Sequence, residues 1–449
     1  MLASVPSPWA QEQLVLPVRA SAQRWLASEA RALLTRLDRV KPFVLQETMV
    51  AAAAPSLAAQ TAIESYLADG RRRLRRMVKE FLRWLKSNQG QSASPSEAQR
   101  RFAYLRMRFN DVLSQFDIFA DVMTQRSEYE TGVWLSGLDA LAADALKLPG
   151  RYFDPPPVVC YLDRGQGAAI RRARTRLPGG GENPVAVVRV PRERMVSNGV
   201  ASSLVHEVGH QGAVLLGLIT SLRRAIAQVQ PRTNGHGPVY SLFSRWISEI
   251  LADFWSVSRL GVGSTLGLMG VVSLPRAFVF RVGLDDPHPI PWIRVKLSCA
   301  MGKSLYPDPQ WDKVAEMWEA YYPLDTAKRQ LFTAIESSIP SFVALLVNHR
   351  PASLHGRSLG EVMAFSDRTP ERLRMLHRTW GNNLERMRRA KPSLVFAVIG
   401  QARAGGLITP EAEGPLLIEL LTYWAKRNTL NMSAICVQRS RAPAVALAA

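Results

Sequence analysis

Five consecutive residues, His206-Glu207-Val208-Gly209-His210, carry the clearest chemical signal in the chain, within the segment SSLVHEVGHQGAVLLGL. On an α-helix, residues four apart lie one turn above each other, so both imidazoles face the same way. Such a pair can fill two corners of a tetrahedral Zn²⁺ site. Glu207 stands beside the first histidine, where it can take a proton from water without binding the ion. Leu204, Val205, Val208, Val214, Leu215 and Leu218 make this a buried helix. Unpartnered histidines and a glutamate would be costly there. The plainer alternative is a core histidine pair satisfied by hydrogen bonds.

A catalytic zinc needs a third protein ligand and an open position. A third histidine six residues after the second is ruled out, because that position is Leu216. The other common solution is a glutamate on a following helix. The segment Trp246-Ile247-Ser248-Glu249-Ile250-Leu251-Ala252-Asp253 supplies Glu249, with Asp253 one turn on. Both acids stand among apolar and aromatic residues, where solvated surface acids are rare. Glu249 is expected to complete the site and Asp253 to orient a ligating histidine.

HExxH on one helix and ExxxD on the next resemble the gluzincin zinc peptidases, over roughly residues 158 to 300. Within that group, Asp286-Pro287-His288-Pro289-Ile290-Pro291-Trp292-Ile293-Arg294 is similar to a segment of the CAAX-protease and heat-shock-protease branch. The resemblance implies that His288 or Arg294 helps to stabilise the tetrahedral oxyanion. The chain departs from those relatives, which are integral membrane proteins. Its most apolar stretch, Val262 to Phe280, is interrupted by Ser264, Ser273, Pro275 and Arg276, and no transmembrane span is expected.

The elements that must position these residues read as three regions. Residues 1–148 are expected to be helical, because Gln23 to Leu37, Ala59 to Leu85, Glu97 to Met123 and Tyr129 to Leu146 repeat apolar positions at helical steps. Ser87 to Ser96 reads as an exposed loop. In 149–310 lies the metallopeptidase core, where Val158 to Leu162 and Val185 to Val190 read as strands. Val185 to Val190 matches the position of the gluzincin edge strand, on which an extended peptide can pair. Residues 311–436 return to helical periodicity, broken at Pro340, Pro351, Pro370, Pro392 and Gly405-Gly406, and 437–449 are expected to be a disordered tail. The fold class expected is α+β, predominantly helical, with a gluzincin-like core and a small sheet between helical flanks.

Composition sets the remaining bounds. The formal net charge of +20 attracts acidic partners without selecting among them. Cys160, Cys299 and Cys436 are far apart and form no CxxC pair, which argues against a disulfide scaffold or a cysteine zinc site. No secretory signal is evident at the start, so the expectation is a cytoplasmic bacterial protein, at most peripheral to a membrane. The absence of GxxxxGK[ST] and PCxxC motifs removes support for nucleotide hydrolysis and zinc deamination.

Residues 69–86, DGRRRLRRMVKEFLRWLK, form a basic amphipathic helix. It could dock on an acidic partner, nucleic acid or an anionic membrane surface. A second basic cluster, Arg171, Arg172, Arg174 and Arg176, precedes the expected edge strand and could favour acidic substrates. The reading is a Zn²⁺-dependent endopeptidase acting on protein or peptide, with His206, His210 and Glu249 as ligands and Glu207 as base. The alternatives are a catalytically silent metal-fold regulator and a basic adaptor working through residues 69–86.

Overall fold

The computed structural model describes residues 18–43, 48–164, 168–177, 180–192, 197–229, 237–283, 286–326, 329–381 and 383–441. They fall into two units: residues up to 46, 63–120 and 177–181 form the first, and the remainder form the second.

The first unit contains α1 (Val18–Arg39), most of α2 (Leu57–Lys86), α3 (Asn88–Ser92) and most of α4 (Pro95–Thr124). Leu26, Ala30, Leu33 and Leu37 of α1 are buried. So are Leu74, Val78, Phe81 and Leu85 of α2, and Phe102, Leu105 and Phe109 of α4. These are the three- and four-residue steps of helices packing one face each. Phe102 lies 6.3 Å from Trp25 and 5.7 Å from Phe81 between ring centroids. The stretch expected as an exposed loop contains α3 instead. Ser87 Oγ accepts from the Gly90 amide, and Gly90, lacking a Cβ, lies against the Trp84 carbonyl.

In the second unit α5 (Tyr129–Leu146) precedes β1 (Val158–Asp163), β2 (Ala169–Arg171) and β3 (Ala186–Pro191). Next come α6 (Asn198–Leu215), α7 (Leu218–Val229), α8 (Gly237–Leu260), α9 (Val262–Val272), α10 (Arg276–Val279) and α11 (Pro291–Leu305). After these follow α12 (Gln310–Tyr321), α13 (Arg329–Asn348), α14 (Leu359–Met363), α15 (Pro370–Trp380), α16 (Leu384–Arg389), α17 (Pro392–Ala404) and α18 (Pro410–Arg441). The fold is therefore α+β and predominantly helical. Helices after residue 310 belong to the same unit as α6, with α17 packed on α9 and α8, and α18 on α5. Of the expected tail, residues 437–441 end α18 and residues 442–449 lie outside the described residues.

Strand order is β1-β3-β2, with β1 parallel and β2 antiparallel to β3. The run expected to form the edge strand is thus the central one. Both β1 and β3 are buried almost throughout, which accounts for their largely apolar sequences, with the charged Asp163 and Arg189 at only partly buried positions. The edge belongs to β2, whose three residues are too few to show an alternating pattern.

Pro340 was expected to break a helix but lies inside α13. Buried residues on both sides of it, Phe332 and Ile335 before, Phe342 and Leu346 after, outweigh the roughly 3 kcal/mol that an internal proline costs. Among the described residues α13 is the one single helix long and apolar enough to cross a membrane, and α6 with α7 would pass that test only as a pair bent by 76°.

One buried ion pair ties the start of the second unit together. Arg126, fully buried, donates to both Asp139 oxygens at 3.0 and 3.2 Å and to the Cys160 carbonyl at 2.6 Å. Asp139 in turn accepts the Cys160 amide at 2.7 Å. Helix α5 is thereby fixed to β1. Removing one partner of such a pair leaves an uncompensated buried charge. Asp139→Asn is expected to lower unfolding stability by about 3–5 kcal/mol, read from the shift in urea midpoint. A shift worth under about 1 kcal/mol, the value of an exposed pair, would show that Arg126 finds other compensation.

Candidate metal centre

Helix α6 carries the histidine pair, and its start is held from a distant part of the chain. Ser197 is extended but makes no side-chain cap. Instead the amide of Asn198 donates to Glu413 Oε1 of α18 at 3.0 Å, and Glu413 is buried. A carboxylate there meets the positive end of the helix dipole. The helix ends at Leu215, and Gly217, at φ 62°, turns the chain into α7. That left-handed conformation suits glycine.

Helix α8 crosses α6 at unusually short range. A Cβ on Gly209 would come within 2.8 Å of Trp255 Cβ and 2.9 Å of the Ala252 backbone, and one on Gly212 would overlap the Trp255 ring. Trp255 is itself fixed by donating from Nε1 to the Ala145 carbonyl at 2.9 Å. The approach brings Glu249 between the histidines: Oε2 lies 3.2 Å from His206 Nε2, and Oε1 lies 3.3 Å from His210 Nε2. One donor atom from each of His206, His210 and Glu249 can be chosen so that all lie within 4.8 Å of one another, a group that could hold a metal ion.

Around this triad the second layer is dense. Asp253 Oδ1 accepts from His206 Nδ1 at 2.7 Å. Arg294, from the first turn of α11, donates to both oxygens of Asp253, Nε at 2.7 Å and Nη2 at 2.9 Å. Asp253 keeps a proton on His206 Nδ1, so it is Nε2, 3.2 Å from Glu249 Oε2, that would give up its proton and turn a lone pair to a metal ion. Ser248 Oγ stands 3.2 Å from His210 Nδ1 and can hydrogen-bond the second imidazole on the side away from Glu249. His288 lies at the half-exposed mouth. Its Nε2 is 3.7 Å from Glu249 Oε2, and Asp286 Oδ1 accepts from its Nδ1 at 2.8 Å and its amide at 3.0 Å.

Burial works against charge at each group, and the neighbours decide the result. At Glu249 burial is outweighed by His206, His210 and Arg294, which bring the carboxyl down to about 2. Asp253 resists its burial through Arg294 and His206, which hold it well below the usual carboxylate range. At His206 burial is again outweighed, here by Asp253 and Glu249, and the imidazole is raised to about 9. Burial and the charge of His206 push His210 down to about 4. Glu207 is raised, chiefly by burial, with His206 opposing.

The group opens into a cleft of about 560 Å³. Glu207, Arg294 and His288 line it, with Ala168, Ile170 and Arg172 on the β2 side and Leu268 and Val271 of α9 among the apolar lining. All seven residues singled out from sequence, His206, Glu207, His210, Glu249, Asp253, His288 and Arg294, therefore border one space. Sequence reading passed over Ser248 and Asp286, although Ser248 is the neighbour of Glu249 and Asp286 lies two residues before His288, which it contacts. It also passed over Gln211, whose Oε1 accepts the Ala173 amide at 2.8 Å and so ties the end of β2 to α6.

Because the α6–α8 approach depends on a missing side chain, Gly209→Val is expected to push the helices apart and abolish stoichiometric metal binding. Circular dichroism would separate loss of the site from loss of the fold. Retained metal at wild-type affinity would show that the helices can spread without moving Glu249. Compared with protein-family models, curated proteins and solved structures, the chain matches none.

Proposed function

We propose that this protein is a zinc-dependent endopeptidase. The observation that carries the reading is the spacing of three donors, two imidazoles and one carboxylate, beside a buried carboxyl, Glu207, that ligates nothing. Donors 2.0–2.2 Å from a tetrahedral Zn²⁺ are about 3.3–3.6 Å apart. His206 Nε2 lies 3.2 Å from one Glu249 oxygen and His210 Nε2 3.3 Å from the other, and one donor from each residue falls within 4.8 Å of the others, so a small inward movement would gather them round one ion. The donor set also suits zinc, which takes imidazole nitrogen and carboxylate oxygen in catalytic sites and keeps a fourth position open. When bound, the ion would polarise water and the scissile carbonyl.

The remaining work falls to side chains. Glu207 accepts the proton of the attacking water and passes it to the leaving amine, a task helped by a carboxyl raised above its ordinary value. Asp253 and Ser248 hold the ligating imidazoles in register. His288, oriented by Asp286, offers its Nε2 side to the cleft and, when both ring nitrogens carry protons, can donate to a developing oxyanion. Arg294 is engaged by Asp253 through two hydrogen bonds and acts chiefly by fixing that carboxylate. The outer edge of β2, unpaired among the described residues, suits an extended peptide pairing by its backbone.

A second property is favoured by the first unit. Arg72, Arg73, Arg75, Arg76, Lys79, Arg83 and Lys86 of α2 are exposed, while its apolar face is buried. That helix has no free apolar face to insert into lipid. Any contact with an acidic protein, nucleic acid or anionic membrane surface would be electrostatic and salt-sensitive, and would recruit the hydrolase without replacing it.

Metal content by mass spectrometry tests the central reading. The wild type is expected to bind about one zinc per chain, and Glu249→Ala much less. Glu207→Gln should keep the zinc and lose about 10²–10⁴-fold in turnover. A zinc-free wild type after metal-replete preparation would remove the peptidase reading. Zinc with no turnover of any peptide would favour the silent regulator.

A further inference from the structure

Four arginines follow one another between β2 and β3, and the structure separates their roles. Arg174 takes a left-handed backbone at φ 62° and donates from Nη2 to the Asp154 carbonyl at 3.1 Å. Arg176 pairs only its backbone with Glu182, as an isolated antiparallel β-bridge, and the residue is exposed. Arg171 ends β2 and is exposed. Arg172 alone lines the cleft that holds His206, Glu207, His210 and Glu249.

The backbone on both sides of Arg172 is built in. Asn183, which is 1% exposed, donates from Nδ2 to the carbonyls of Arg171 at 3.2 Å and Arg172 at 3.0 Å. The next amide, that of Ala173, donates to Gln211 Oε1 of α6, one residue beyond His210. The position of Arg172 is thus referred directly to the metal-ligating helix. Its guanidinium, in contrast, has no ion pair or hydrogen bond with any described residue, whereas the other arginine of the cleft, Arg294, is neutralised by Asp253. A guanidinium presents parallel donors matched to a carboxylate and keeps its charge at any relevant pH.

We propose that Arg172 recognises a carboxylate of the substrate, making the enzyme selective for peptides with an acidic group at one fixed position from the scissile bond. This rests on the peptidase reading. The carboxylate can belong to an aspartate or glutamate side chain or to a free C-terminus. In either case it forms charge-assisted hydrogen bonds to Arg172 while the reacting peptide bond lies at the metal group.

The experiment uses the full zinc-loaded chain and a mixed peptide library, with products identified by mass spectrometry. Cleaved peptides are expected to carry aspartate, glutamate or a terminal carboxylate at one position, favoured by about tenfold to a hundredfold over the amide counterparts. Arg172→Gln should remove the preference by raising KM for carboxylate-bearing peptides, and Arg172→Glu should redirect it to lysine and arginine. Arg171→Gln, which removes a neighbouring charge, should leave it in place. Amidating the C-termini abolishes a preference that comes from the chain end and spares one that comes from side chains.

Binding gives a readout independent of turnover. Fluorescence anisotropy of labelled acidic and amide-matched peptides on Glu207→Gln should show the same preference, lost in Glu207→Gln/Arg172→Gln. Cleavage without a carboxylate preference, or a preference that survives Arg172→Gln, overturns the assignment and leaves the peptidase reading standing. Acidic peptides bound through Arg172 but never cleaved by the wild type support the assignment and remove the peptidase reading. Neither cleavage nor binding overturns both.

Discussion

Helices α6 and α8 approach so closely that an alanine at position 209 would press its Cβ to 2.8 Å from Trp255 Cβ, and the metal group is arranged around that contact. A helix pair usually keeps 8–10 Å between axes because side chains intervene. Gly209 and Gly212 remove them on the face turned to α8, while His206 and His210 face the cleft. Glu249 can then reach both imidazoles with one carboxylate. The tightness comes from a flat aromatic surface, Trp255, which fills the space two absent side chains leave and is anchored by its own hydrogen bond to Ala145.

Charge imposes the second constraint. Glu207, Glu249 and Asp253 are all buried, and isolated ionised carboxylates are expensive in such surroundings. The arrangement distributes the compensation. Arg294 and His206 neutralise Asp253, and the imidazoles satisfy Glu249. Glu207 is left without a dedicated counter-ion, and burial raises its carboxyl. The residue given the base role is thus the one whose charge is least compensated.

Much of this was legible in the sequence because it is local. The four-residue step between His206 and His210, the same step between Glu249 and Asp253, and the buried character of both helices are properties of single segments. So are the boundaries of α1, α2, α4 and α5, which follow the apolar repeat closely. What escaped depends on contacts between segments. Strand β2 is too short to carry a pattern, and without it β3 looked like an edge. The helix around Pro340 survives because its neighbours bury it, which no propensity conveys. The short helix after Ser87 depends on a glycine lying against a carbonyl. Arg172 could not be told from Arg171, Arg174 and Arg176 by composition, because only Asn183 and Gln211 decide which of the four stays at the cleft.

The contact between Glu413 and the amide of Asn198 spans 215 positions of the chain. A ribosome adding 5–20 residues per second makes that carboxylate roughly 10–40 s after the helix start it caps. Until then α6 has lost its anionic anchor, and α17 and α18, which pack in its unit, do not exist. The nascent chain therefore carries the HExxH segment for many seconds before its final support arrives. Assembly order thus delays completion of the candidate metal centre until the start of α18 has been made, a timing that comes from topology alone.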